Sequence, residues 1–141
     1  MGYEFTAPDL NDPAALGMSQ HPEGGWYIEH FRASETVHTP RGPRHLASAI
    51  SFLLLPGEES AWHTVASDEI WFWQGGGVLE LRLGGNGERP EHPSVHRLGQ
   101  GGQLLVPAGV WQSARPADAE PVIVGCVVTP GFDFADFRLL P

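Results

Sequence analysis

Residues 57–76 read Gly57-Glu-Glu-Ser-Ala-Trp-His63-Thr-Val65-Ala-Ser-Asp-Glu69-Ile-Trp71-Phe-Trp73-Gln-Gly-Gly76. Glycines punctuate both ends, and glycine marks turns. Between them lie a histidine, an acid and a run of alternating aromatics. Side chains alternate across a strand, so Glu69, Trp71 and Trp73 share one face. If Glu69 points into a core, both tryptophans do too. A second stretch has related punctuation: Gly101-Gly-Gln-Leu-Leu-Val-Pro107-Ala-Gly109-Val-Trp111-Gln112. A short apolar run there ends in a Pro-x-Gly turn.

Other segments also read as short strands. They are Trp26–Arg32, Ala47–Leu55, Val78–Leu83 and Val122–Thr129, each bounded by Gly, Pro or Asn. Leu79–Leu83 alternates cleanly, so Glu80 and Arg82 are expected to face out. With 18 glycines and 13 prolines, the chain has the pattern of an all-β sandwich or barrel. Residues 35–46 and 85–96 are polar and read as loops. One helical signal stands near the start, where Asp12-Pro13 reads as N-cap and first helical position, with Ala14, Ala15, Leu16 and Met18 following.

The 141 residues favour one domain spanning 1–141, with an N-terminal segment over 1–20 and a β-barrel over 26–137. A domain of this length buries roughly two-thirds of the surface its unfolded chain exposes, so it needs no disulfide. The single cysteine, Cys126, lies in an apolar run and reads as a small buried hydrophobe. No signal-like segment or long apolar run is evident, so a cytoplasmic protein with no membrane partner is expected. Net charge is −9, and all eight basic residues are arginine. The missing lysine excludes Schiff-base chemistry and a phosphate-binding P-loop. The acidic balance argues against nucleic acid, whose phosphates need clustered positive charge.

The two punctuated stretches resemble the paired motifs of the cupin superfamily, G-x5-H-x-H-x3-E-x6-G and G-x5-P-x-G-x2-H. Gly57, His63, Glu69 and Gly76 match the first, and Gly101, Pro107 and Gly109 match the second. Val65 stands where the second histidine belongs, and Gln112 where the last one belongs. Four runs narrow the resemblance to the small, uncharacterised cupin-five family. They are His21-Pro-Glu-Gly-Gly-Trp26, Ser67-Asp-Glu-Ile-Trp71, Val106-Pro-Ala-Gly-Val-Trp-Gln112 and the stretch from Gly125 to Phe137. The resemblance implies a double-stranded β-helix, the cupin jelly roll, here with the short N-terminal helix. It implies a homodimer too, and a shape similar to that of the dTDP-sugar epimerases. Phe72-Trp73-Gln74 departs from the family's frequent His-Phe-Tyr, which implies a more apolar pocket wall.

By this resemblance His63, Glu69 and Gln112 surround one cavity beneath Trp71, Trp73 and Trp111. Three readings follow. In the first, His63, Glu69 and Gln112 hold a divalent Fe, Mn, Ni or Zn with open positions for substrate, in a metal-dependent oxygenase or isomerase. In the second, no metal is needed. His63 is a base beside a carbonyl, Glu69 or Asp68 orients it, and Tyr27 donates a proton, as in sugar epimerisation. Arg32, Arg44 and Arg115 are candidates to grip a phosphate or carboxylate. In the third, the tryptophans and Gln112 bind a small polar molecule, such as a sugar or nucleotide-sugar, without catalysis.

At several positions a structural role competes. Tryptophans in strands are mostly core. His21 reads as turn structure first, with a pocket role as the alternative. His30, His38, His45, His92 and His96 read as surface residues. Phe132, Phe134 and Phe137 read as an anchor for the C-terminus, with Asp133 and Asp136 as an alternative carboxylate pair. Ile50, Phe52 and Ile123 are expected to face outward and to be covered by a second copy of the chain.

Overall fold

The computed structural model describes residues 9–141; residues 1–8 of the expected N-terminal segment lie outside the described residues. Two antiparallel sheets form the body. The first runs β1 (Ser19–Gln20), β2 (Trp26–Arg32), β5 (Ser48–Leu54), β12 (Val122–Thr129), β7 (Asp68–Gly76), β10 (Gln103–Val106). The second runs β13 (Phe137–Leu139), β6 (Ser60–Val65), β11 (Gln112–Pro116), β8 (Leu79–Leu83), β9 (Ser94–Leu98). A separate hairpin pairs β3 (Thr36–Thr39) with β4 (Gly42–His45). Neighbours such as β5–β12 and β12–β7 join strands far apart in sequence, as a jelly roll requires.

Alternation divides each strand between the barrel interior and its outside. Phe52 and Leu54 of β5, Val122, Val124 and Cys126 of β12, and Trp71 of β7 all point inward and are buried. Leu79, Leu81 and Leu98 close the same core from the second sheet. These bulky side chains fill one end of the barrel. Toward the start of β5 and the end of β12 the inward residues are Ser48, Ile50 and Val128, and there the interior is open.

The outside of the first sheet has its own apolar cluster. Leu53 and Ile123 sit opposite each other on β5 and β12, and Leu10 and Met18 of the N-terminal segment cover them. Each such buried side chain contributes about 1.5–3 kcal/mol. This corrects the outward face expected to need a partner. Phe52 is 1% exposed inside the barrel. Ile50 lines the cavity. Ile123 does face out, but the chain covers it itself.

The expected helix at residues 13–18 is a single turn. Asp12 caps it as anticipated, accepting the Ala15 N–H at 3.2 Å. Gly17 then adopts φ +75°, a left-handed conformation that ends a helix. Three residues before the turn, Asp9–Asn11, form a short 3-10 helix.

The polar stretch 35–46, read as a loop, contains the β3–β4 hairpin. Its Arg44 clasps the buried Asp136 carboxylate through Nε at 2.8 Å and Nη2 at 2.9 Å, and Arg41 Nε reaches the same group at 3.0 Å. Asp136 closes the second 3-10 turn, Phe134–Asp136, which Asp133 caps by accepting the Ala135 N–H. The hairpin is therefore tied to the C-terminal segment that walls the open end of the barrel.

Candidate functional site

The open end encloses a cavity of about 210 Å³. Its walls are Ile50 and Phe52 of β5, Val65 of β6, Val128 of β12, and Phe132 with Phe134 of the C-terminal segment. Trp71 closes the inner end, edge-on to Phe52 at 5.9 Å between ring centroids. The polar lining consists of His21, Glu23, Tyr27, Glu29, Arg32 and Glu69, with Ser48 and Cys126 beside them.

Glu23 is the group that sequence reasoning missed. The turn His21-Pro-Glu-Gly-Gly25 delivers it. Its backbone N–H donates to His21 Nδ1 at 3.1 Å, and its carbonyl accepts the Ala61 N–H at 2.7 Å. A side chain at Gly24 would meet the Glu59 carbonyl oxygen at 2.1 Å, and φ there is +107°, so only glycine lets the turn dock on β6. The Glu23 side chain is thereby held inside. The Ser60 hydroxyl donates to Oε2. Oε1 lies 3.3 Å from His21 Nδ1 and 3.4 Å from His63 Nε2. The acid preceding two glycines in a run already quoted was the available signal. Nothing in strand periodicity marked it as interior.

His63 is buried at 1% exposure behind the cavity wall. Its Nδ1 lies 2.7 Å from the Ala61 carbonyl oxygen. A carbonyl only accepts, so the proton sits on Nδ1 and the Nε2 lone pair faces Glu23. Gln112 is also buried and spends its amide on two neighbours. Its oxygen accepts the Trp71 indole N–H at 2.9 Å, and its nitrogen donates to Glu69 Oε1 at 2.9 Å. Gln112 therefore orients Trp71 and Glu69 from behind.

Burial dominates the proton affinities. Desolvation lifts Glu23 from the usual 4.5 to about 8. It lifts Glu69 to about 7, with the Glu23 carboxyl adding to the rise and His63 and Gln112 opposing it. Desolvation, with a smaller push from His63, lowers His21 to about 4. His63 itself is pushed down by burial against the pull of Ala61 and Glu69. The Cys126 thiol, buried beside Glu69, is pushed well up and stays protonated. Near neutral pH Glu23 and His21 are therefore uncharged and Glu69 is about half-ionised.

The remaining expected site residues fall in different places. Tyr27 lines the cavity, edge-on to His21 at 4.9 Å. Arg32 lines it too, but its guanidinium is spent. It bonds Glu29 through Nη2 at 2.6 Å and Nε at 3.3 Å, and the Phe132 carbonyl through Nη1 at 2.9 Å. Trp73 shares the inward face of Trp71 but packs at the filled end, its indole N–H on the Gly77 carbonyl. Trp111 is fully buried, donates to the Gly87 carbonyl and carries Arg138 over its ring. Neither Trp73 nor Trp111 is among the residues lining the cavity. Asp68 is exposed and accepts the Ala108 N–H. Arg44 is committed to Asp136, and Arg115 pairs with Glu80.

A divalent ion needs several free donors converging on one point. The expected trio of His63, Glu69 and Gln112 does not offer them. His63 Nε2 is turned to Glu23, the Gln112 oxygen is turned to an indole, and Val65 adds only an apolar wall. Among the described residues, no three His, Cys, Asp or Glu side chains are arranged to hold a metal. The donor set does not fit the ion that the motif spacing implies.

A jelly roll filled at one end and open at the other, with polar groups on the floor of the opening, defines a cupin. The family described as cupin superfamily (DUF985) matches residues 14–140, and the chain belongs to it. A solved protein from Shewanella oneidensis is 32% identical, with 96% of this chain and 85% of that one covered and a TM-score of 0.80. A hypothetical protein from Leishmania major is 30% identical over 90% of this chain and 84% of its own, at a TM-score of 0.77. Oxalate decarboxylase from Bacillus subtilis shares the fold at 16% identity and a TM-score of 0.65, with 86% of this chain and 29% of that one covered. No curated protein matches the sequence. Among the described residues no helix is long and apolar enough to cross a membrane.

Proposed function

We propose that the protein binds a small, uncharged, hydroxyl-bearing molecule of sugar size in the open end of the barrel. The observation that carries this reading is the cavity itself. Its aromatic and aliphatic walls suit the faces of a ring, and its floor of Glu23, Glu69 and Tyr27 suits hydroxyls. Arg32, the one cation lining it among the described residues, is already bound to Glu29. A phosphate would find no free partner, so a free sugar or polyol fits better than a nucleotide-sugar. Titration of monosaccharides, polyols and their phosphates against intrinsic tryptophan fluorescence tests this, because Trp71 lines the cavity. Neutral members are expected to bind, and Phe132→Ala to weaken them. Binding confined to the phosphates refutes the reading, as does a panel that is silent throughout.

A second reading, acid/base catalysis without a metal, is favoured by one observation. Glu69 faces the cavity with a proton affinity near neutrality, which suits a group that both takes and gives a proton. Glu69 would abstract a proton beside a carbonyl and Tyr27, which lines the same cavity, would return one. His63, behind the wall, would act through the carboxyls. The test is solvent deuterium incorporation into whichever sugar binds, with Glu69→Gln expected to abolish it. The family resemblance supports a homodimer, which sedimentation velocity on the full chain would establish.

A further inference from the structure

We infer that the Glu23 carboxyl occupies the position a metal ion would take in this pocket, so that the ligand meets a carboxyl held between two imidazoles and no resident divalent cation. The inference deepens the binding reading above and rests on it for the identity of the site. Three independent pieces of geometry carry it.

The first is the aim of His63. With Nδ1 fixed on the Ala61 carbonyl, the ring has one lone pair left, and that lone pair faces Glu23 Oε1 at 3.4 Å. A histidine ligand would point the same lone pair at a metal. The second is the carboxyl's own confinement. Ser60 takes Oε2, Oε1 stands almost equidistant from two ring nitrogens, and both backbone groups of Glu23 are bonded. The docked turn fixes the Glu23 backbone, because Gly24 lies against the Glu59 carbonyl.

The third is Val65. It follows His63 by one inward step on β6 and lines the cavity, so a second imidazole there would enter the cavity that the Glu23 carboxyl lines. A valine removes that donor and leaves room for the acid. A valine thus stands where the motif has a histidine, and a buried glutamate from a distant turn lines the same cavity. Other charged or titratable groups facing the spot are His21, Glu69, Cys126 and Tyr27, with the Glu29–Arg32 pair lining the same cavity.

The test compares three full-length chains: wild type, Val65→His, and Val65→His combined with Glu23→Ala. Each is purified without chelator, incubated with Mn²⁺, Fe²⁺, Ni²⁺ or Zn²⁺, desalted, and read by elemental mass spectrometry and thermal shift. Wild type and Val65→His are expected to hold only background metal and to show no shift. The double variant is expected to load about one ion per chain and to melt higher with metal, since His63, the new histidine and Glu69 would then converge. One ion per chain in the wild type overturns the inference. So does loading of Val65→His equal to that of the double variant, or a folded double variant that stays empty. Should the double variant not fold, Glu23→Gln takes its place, with ¹⁵N imidazole spectra as the readout. Its His21 and His63 ring nitrogens are expected to move together, and unchanged His63 nitrogens overturn the inference. Metal loading is read without any ligand, so a failed sugar screen leaves this result standing.

Discussion

Replacing Glu23 by glutamine should flatten the fall in stability between pH 6.5 and 8.0. The folded chain holds the Glu23 proton up to about pH 8, whereas an unfolded carboxyl releases it at about 4.5. Between those values the native state binds more protons than the unfolded state, so stability falls as pH rises. Each pH unit in that window costs about 1.4 kcal/mol per such group. Over pH 6.5–8.0 Glu23 alone accounts for about 2 kcal/mol. Glu69, released at about 7, adds less than 1 kcal/mol in the same window. The histidines pull the other way, but lower down. His21, at about 4 when folded and 6.5 when free, loses stability as pH drops below 6.5, and His63 behaves likewise. From pH 4.5 to 6.5 the imidazoles therefore oppose the acids. The wild-type decline should therefore be shallower there than above pH 6.5. Urea midpoints at half-unit pH steps measure this, and 2 kcal/mol corresponds to a shift on the order of 1 M urea. Glu23→Gln keeps the shape and removes the titration, so most of the decline should disappear. A mutant curve parallel to the wild type across pH 6.5–8.0 would refute the assignment, as would wild-type stability that rises there.

Two further substitutions probe the supports of the site. Gln112→Ala strands the Trp71 indole N–H and one Glu69 oxygen in a buried setting, at about 1–3 kcal/mol for each group. Its thermal midpoint should drop and its tryptophan emission shift, whereas an unchanged midpoint would mean that water replaces the amide. Asp136→Ala leaves Arg41 and Arg44 without their shared carboxylate and should lower the thermal midpoint. Faster amide exchange in residues 36–45 is the accompanying sign, and protected amides there would count against the clasp.

Much of the architecture was legible because it is written in alternation. Trp26–Arg32 and Val122–Thr129 form strands at the limits expected, and Glu69, Trp71 and Trp73 share the inward face that parity assigned them. What alternation does not encode was missed. The β3–β4 hairpin is largely exposed, so it carries no apolar period, and a clasp to a carboxylate far along the chain holds it in place. The inward face did not reveal depth along the barrel either. Trp71 reaches the cavity while Trp73, two residues on, is part of the filled end. Gln112 stands at a motif position that implies ligand contact, but its amide holds Trp71 and Glu69. Glu23 lies in a turn, and only the docking of that turn on β6 brings it inside.

The four buried titratable groups raise one question of charge, and it has two chemical answers. Two carboxylates and two imidazoles in a low-dielectric floor are costly if the acids are ionised. A divalent cation can neutralise them, or protons can. The hydrogen-bond directions around Glu23, His63 and Gln112 favour protons, because each lone pair that a cation would use already faces a neighbour. A floor neutralised by protons presents hydroxyl-like donors below pH 7 and gains negative charge above pH 8. An uncharged ligand should therefore bind best below pH 7, and its affinity should weaken as Glu69 and then Glu23 ionise. A cation-neutralised floor would do the reverse. It would lose its metal, and the binding with it, as acid protonated the ligands. The sign of the affinity's pH dependence thus separates the two answers without knowledge of what the ligand becomes.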